Sequence, residues 1–199
     1  MKTGRTLRHL VWEGRFQPIH VGHVAYVGEL LARCDTLTVV VVANEVSVGR
    51  SSPVPEFSAL VDVHHVAERN PWPLWRRFDL VRRTLSGQYP NAPLRVLAGH
   101  RLDLDWPLWD ELLPPGRIFA TPNRDEFEDA KADAWTRLGQ LVERVEVGHL
   151  PAVSATLVRE RIRAGGPLAD ILHPATLEML VADGDLPDWA VPEQIESRM

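Results

Sequence analysis

GRFQPIHVGH, Gly14 to His23, packs two glycines, a proline, an arginine and two histidines into ten residues. It follows the apolar run Leu10-Val11-Trp12, with only Glu13 between. Upstream the chain reads as a strand, Leu7 to Trp12. Downstream, Val21 to Arg33 shows the three-to-four-residue apolar spacing of an amphipathic helix. The stretch is therefore a strand-to-helix turn near the start of the chain, where an α/β fold places its first ligand loop.

The same alternation continues outward. Thr36 to Ala43 (TLTVVVVA) is apolar on successive residues, as a strand covered on both faces must be. Asn44 to Pro73 is irregular, rich in Ser, Pro and Glu, and is compatible with a lid, an oligomer contact or a disordered loop. Leu74 to Ser86 is helical and stops at Gly87. Leu94 to Ala98 is a third strand, followed by a short Trp-rich helix from Trp106 to Leu113 and a turn at Pro114-Pro115-Gly116. Arg117 to Ala120 reads as a strand, Asp125 to Leu141 as a helix and Glu143 to Val147 as a last strand. Ser154 caps a helix to about Ala164, closed by Gly165-Gly166-Pro167, and a final helix follows His173-Pro174. Helix-length crossovers between strands predict a Rossmann-like, doubly wound, mostly parallel five-stranded sheet with helices on both faces. The chain, 1–199, is expected to be one domain, with a C-terminal helical part from about residue 154.

Composition narrows the function classes. A net charge of -5 disfavours duplex nucleic acid as the partner, because phosphate-binding surfaces carry a basic excess. The one cysteine, Cys34, has no partner for an internal disulfide and reads as a buried thiol in a reducing compartment. No apolar run reaches signal-peptide or membrane-spanning length, so a cytoplasmic protein without a membrane partner is expected. Lys2 and Lys131 are the only lysines. An anion would thus be gripped by Arg, His and backbone N–H groups.

Each residue type in the turn has a physical use. Gly14 and Gly22 let the backbone approach a ligand or pack closely, Pro18 stiffens the loop, and the amides opening the helix favour an anion. His20 and His23 lie about one helical turn apart and so face the same side. Two imidazoles without a nearby carboxylate or thiol suit phosphates better than a metal. His100, His149 and Asp103 lie on scattered segments and read as ordinary surface or core residues.

Gly14, Phe16, Pro18, His20, Gly22 and His23 form G-x-F-x-P-x-H-x-G-H, which resembles the HxGH signature of the nucleotidylyltransferase superfamily. The full stretch looks most like archaeal-type nicotinamide-nucleotide adenylyltransferases. That resemblance implies that His20 and His23 bind the triphosphate and stabilise a pentavalent transition state, and that Arg15 contacts phosphate. Val153 to Arg159 (VSATLVR) is similar to the family's second signature. It implies hydroxyl and amide donors from Ser154 and Thr156 on the outer phosphates, with Arg159 holding the leaving pyrophosphate. Asn70-Pro71-Trp72 with Arg77 resembles the family's N-P-F-T-x-x-E-R segment, with Arg76 where an acidic residue is usual. Trp106 and Trp109 fall near the family's acceptor-ring tryptophan, so these two and Arg77 are expected at the acceptor.

The departures lie elsewhere. Ala43-Asn44-Glu45-Val46 replaces the family's G-S-A-Q-like loop, and Pro73 or Leu74 stands for its threonine. These changes touch base and acceptor recognition, not the phosphate machinery. The implied reaction is transfer of a nucleotidyl group from ATP or CTP to a small phosphate- or phosphonate-bearing acceptor, releasing pyrophosphate. It requires orientation and charge neutralisation rather than an enzyme nucleophile. A Mg²⁺ held mainly by substrate oxygens and water is expected as cofactor, with no protein metal ligand, and the enzyme is expected to be a homo-oligomer. The plain version joins ATP and nicotinamide mononucleotide to give NAD. The alternatives are a CTP-dependent cytidylyltransferase acting on a small phosphate or phosphonate, and a non-catalytic nucleotide sensor.

Overall fold

The computed structural model describes residues 8–186, so Leu7 of the first expected strand lies outside the described residues. Five strands, β1 (His9–Gly14), β2 (Thr36–Val42), β3 (Leu94–Gly99), β4 (Ile118–Asn123) and β5 (Leu141–Glu146), form one sheet. Their order is β3-β2-β1-β4-β5, and all neighbours are parallel. Helices α1 (Val21–Leu31), α2 (Pro55–Asp62), α3 (Leu74–Gln88), α4 (Trp106–Leu112), α5 (Glu126–Arg137), α6 (Ala155–Arg163) and α7 (Pro174–Ala182) complete the expected Rossmann-like α/β fold. No helix among the described residues is long and apolar enough to cross a membrane.

The period-two alternation of a strand assigns each face its core. Leu10 and Trp12 of β1 join Leu37, Val39 and Val41 of β2 in one core with α1 and α3. Val11, Val40 and Val42 join Phe57, Trp109, Phe119 and Trp135 in the other. Both faces of β2 are therefore covered, which explains its unbroken apolar run. The chain leaves the central β1 toward β2 and β3 and returns on its other side as β4 and β5. At that reversal the connections diverge and open a crevice beyond the strand ends.

Two boundaries differ from expectation. The helix expected to reach Leu141 ends at Arg137, and the last strand starts at Leu141 rather than Glu143. Gly139, at φ 73°, takes the left-handed conformation that stops a helix. The irregular segment 44–73 contains α2 and a short 3₁₀ turn, Ala67–Arg69. Helix α2 opens behind Val54 with Pro55 in its first turn and no side-chain cap, so the usual start signal is missing.

The segment is firmly docked. Arg101, only 1% exposed, donates to the Ser58 carbonyl at 3.0 Å and the Glu45 carbonyl at 2.9 Å, and pairs with Asp62 and Asp103. Ser58 Oγ also donates to Asp103 Oδ2 at 2.5 Å. This network makes 44–73 a built wall, bonded to the loop after β3. Of the open readings for this segment, the disordered loop is thereby set aside.

Candidate active site

A cleft of about 930 Å³ opens at the carboxyl ends of β1, β2 and β4. That lies at the upper end of the usual range for small-ligand sites, so it has room for more than one small substrate. Gly14, Arg15, Phe16, His20, Gly22, His23, Ser154, Thr156 and Arg159 all line it. The fold thus brings together two sequence segments more than a hundred residues apart.

His20 caps the N-terminus of α1: its Nδ1 accepts the backbone N–H of His23 at 3.4 Å. That bond places the proton of a neutral ring on Nε2, leaving an N–H donor on the far edge. The two imidazoles stack with centroids 3.6 Å apart and planes 20° from parallel. Phe16 packs edge-on against His23, and Trp12 against Phe16 and Tyr26. Phe16 sits at φ 52°, a strained conformation for a bulky residue, with its ring 2% exposed under His23. Burial, then the Arg124 charge, pulls the His20 pKa down to about 3; burial and then His20 push His23 well below its usual value. The stacked rings are thus neutral imidazoles lining the cleft.

Neutral burial has a consequence for stability. The unfolded chain binds a proton at His20 near pH 6.5, whereas the folded chain binds it only near pH 3. Stability is therefore full above the unfolded value and falls as pH drops toward the folded one. Between pH 7 and 5, His20 alone is expected to cost about 2 kcal/mol, with His23 acting in the same direction. Urea unfolding at the two pH values, with His20→Gln as control, measures this: the variant should show a shallower loss.

The second segment is built similarly. Ser154 caps α6, its Oγ accepting from Leu157 N–H at 3.1 Å. Arg159, 8% exposed, donates to the Gln17 carbonyl at 2.7 Å and to Thr156 Oγ1 at 3.1 Å. Arg15 donates to the His64 carbonyl at 2.6 Å. Burial, then Arg159, lowers its pKa to about 10, so it remains cationic at neutral pH. Gly22 joins the segments: a Cβ there would lie 2.9 Å from the Pro151 carbonyl oxygen. Only glycine permits that approach.

The residues expected at the acceptor are placed elsewhere. Arg77 is 1% exposed and donates to the carbonyls of Arg15 (2.5 Å), Val42 (2.8 Å) and Trp72 (3.0 Å). Trp109 is fully buried, with its indole N–H on the His100 carbonyl. Trp106 stacks toward Trp135, with the Arg117 guanidinium over its ring. None of the three lines the cleft. The correction has one physical reason. Large side chains near the strand ends were needed for core and loop support, and their spacing alone did not distinguish that use.

Conversely, sequence reading missed Arg69, Arg124, Arg163, Lys131 and Glu13, all of which line the cleft. They belong to no motif; only Lys131 carried a signal, as one of two lysines in a chain otherwise charged by arginine. His149 pairs with Glu29 at 3.1 Å, His100 with Glu45 at 2.5 Å, and Asp103 with Arg101. Among the described residues no group of three or more His, Cys, Asp or Glu is arranged to hold a metal.

Residues 11–161 match the model of the cytidylyltransferase-like family. In fold the chain is similar to a bifunctional NMN adenylyltransferase/ADP ribose pyrophosphatase from Francisella tularensis complexed with AMP and Mn ion. The TM-score is 0.60 at 14% identity, over 96% of this chain and 54% of that one. A second structure of the Francisella tularensis enzyme gives 0.60 at 15%, over 92% and 51%. NadR protein in complex with NR gives 0.50 at 16%, over 86% and 44%. The chain spans about half the length of these proteins, and at such identities the likeness is one of fold. No curated protein sequence matches it.

Proposed function

Because the chain belongs to the cytidylyltransferase-like family, we propose that this nucleotidyltransferase moves a nucleotidyl group from a nucleoside triphosphate to a small phosphate- or phosphonate-bearing acceptor. The observation that carries the reading is the stacked, neutral His20–His23 pair flanked in one cleft by Arg15 and Arg159. An ionised acceptor oxygen attacks the α-phosphorus, the bond to the bridging oxygen breaks, and pyrophosphate leaves. Negative charge spreads over the non-bridging oxygens as the reaction proceeds. His20 and His23 offer N–H donors to it, while Arg15 and Arg159 hold the outer phosphates by charge-assisted bonds. Ser154 and Thr156 line the cleft at the start of α6, whose N-terminal amides favour an anion.

Among the described residues no group of carboxylates, histidines or cysteines forms a cage for Mg²⁺. The ion expected with a nucleoside triphosphate fits as a passenger on phosphate oxygens and water, where it neutralises charge.

ATP with nicotinamide mononucleotide is the leading substrate pair, from the likeness of Gly14–His23 to that branch. A CTP-dependent reaction on a small phosphate or phosphonate is the second reading. The placement of Arg77, Trp106 and Trp109 away from the cleft favours it, since these were the residues expected at a nicotinamide-bearing acceptor. Pyrophosphate release with ATP and with CTP, each with and without nicotinamide mononucleotide, separates the two. Release with CTP and no response to nicotinamide mononucleotide sinks the first, and no release under any pairing sinks both.

A further inference from the structure

Helix α2 is apolar on both sides. Toward the molecule it turns Phe57 and Val61 to the cleft, and Ser58 and Asp62 to Arg101 and Asp103. Its other side carries Ala59, Leu60 and then Val63, all exposed, where a surface helix ordinarily shows polar residues. The coil continues past Asp62: His64 N–H donates to the Val61 carbonyl and His65 N–H to the Asp62 carbonyl, each at 2.9 Å. Leu60 and Val63 therefore sit one turn apart on one side, and Val66 follows three residues on. The segment after β2 is tied to the same place, because Ser47 N–H reaches both Asp62 carboxylate oxygens at 3.1 Å. That bond brings Val46 and Val48, exposed on either side of Ser47, next to Val63.

Five of the nine large apolar side chains exposed among the described residues thus gather here: Val46 (48%), Val48 (84%), Leu60 (38%), Val63 (65%) and Val66 (43%). Together they leave on the order of 400 Å² of surface, within the range of the largest patch on a monomer, which is often functional. One side of a standard protein–protein interface covers about 800 Å², a little over half of it apolar. The patch is the size of that apolar share. Its surroundings supply a polar rim of both signs: Glu45 is paired with Arg50, and Glu68 and Arg69 stand exposed side by side. A strongly basic or strongly acidic partner meets no opposing field there. A surface holding both signs around an apolar centre can instead be its own complement across a twofold axis.

We propose that two copies of the chain join at this face, α2 and the Val46–Val48 segment of one packing on the same elements of the other. The contact covers the valines. It also braces from outside the wall whose inner side, through Phe57 and Val61, lines the cleft. Of the two readings left for segment 44–73, this favours the oligomer contact over the lid. A lid would have to break the buried bonds of Arg101 to the Glu45 and Ser58 carbonyls and to Asp62 each time it opened.

Sedimentation velocity of the full chain, from about 1 to about 100 μM, tests this, with a dimer expected at the upper end. Val48→Asp combined with Val63→Asp places four carboxylates in one apolar contact and is expected to weaken association at least about 100-fold. Both positions are exposed, so the far-UV circular dichroism spectrum should not change. Leu60→Lys, a single charge at the margin, should weaken association about tenfold and guards against a folding artefact. Leu141→Asp is the control: Leu141 is 65% exposed on β5, away from the patch, and its loss should leave the dimer intact. A chain that stays monomeric throughout overturns the proposal and leaves the patch to a different partner. A dimer that survives both patch variants, or that Leu141→Asp splits as readily, overturns it too.

Discussion

His20→Ala is expected to lower kcat about 10²–10³-fold, with a much smaller change in KM for the triphosphate. The asymmetry follows from geometry. The ring is held by the His23 backbone N–H and by stacking on the His23 imidazole, so its remaining N–H is fixed in place before substrate arrives. A donor fixed this way gains most when charge develops on the reacting phosphate, whereas ground-state phosphate is also held by Arg15 and Arg159. His20→Asn retains a donor on a shorter side chain and should recover part of the rate. Steady-state kinetics on the three proteins checks this; equal turnover in wild type and His20→Ala would remove His20 from the chemistry.

Arg77→Met is expected to cost about 3–5 kcal/mol of folding stability, although Arg77 itself does not line the cleft. Its guanidinium is buried without a carboxylate partner and held by three backbone carbonyls from separate segments. Burial, then the charge of Arg15, draws its pKa down to about 10, still far above neutrality. Deleting it strands the carbonyls of Arg15 and Val42, each a desolvated acceptor worth about 1–3 kcal/mol if unpaired, while the Trp72 carbonyl keeps its bond from Gln17 Nε2 at 3.0 Å. For a chain of this size the loss corresponds to a drop in Tm of roughly 10 °C. Arg77→Lys should recover only part, because one ammonium cannot span three carbonyls in a planar fork. Thermal and urea unfolding of the two variants give the answer, and a change under 1 kcal/mol for Arg77→Met would remove the staple role.

The sheet was readable because its signals are periodic: β2 is apolar on both faces and the crossovers repeat at helix spacing. The cleft residues of the two motifs were readable for another reason. A turn needing close backbone approach and paired imidazoles leaves a dense local pattern, as in Gly14–His23 and again in Ser154–Arg159. The opposite wall of the cleft has no such pattern: Glu13, Lys131 and Trp135 meet only because β1 and α5 pack on one face, a tertiary fact without a local trace. Trp109 and Arg77 failed in the opposite sense. A buried indole N–H on a carbonyl, or a guanidinium clasping loops, uses the same residue types as a ligand contact. Helix α2 escaped notice because a valine and a proline stand where a capping side chain would have announced it.

The contact between Gly22 and the Pro151 carbonyl bears on how such an enzyme can change its preferences. Because α1 is wedged against the loop before α6, the two segments proposed to grip the phosphates meet as one piece rather than as two jaws. In the loop Val147 to Val153 the side chains of Val147, Leu150 and Val153 pack on the core, which leaves Gly148 and Ala152 as the cleft-facing positions open to exchange without altering the wedge. The cleft lining there is thereby free to change by side-chain replacement while the spacing of the two segments stays constant.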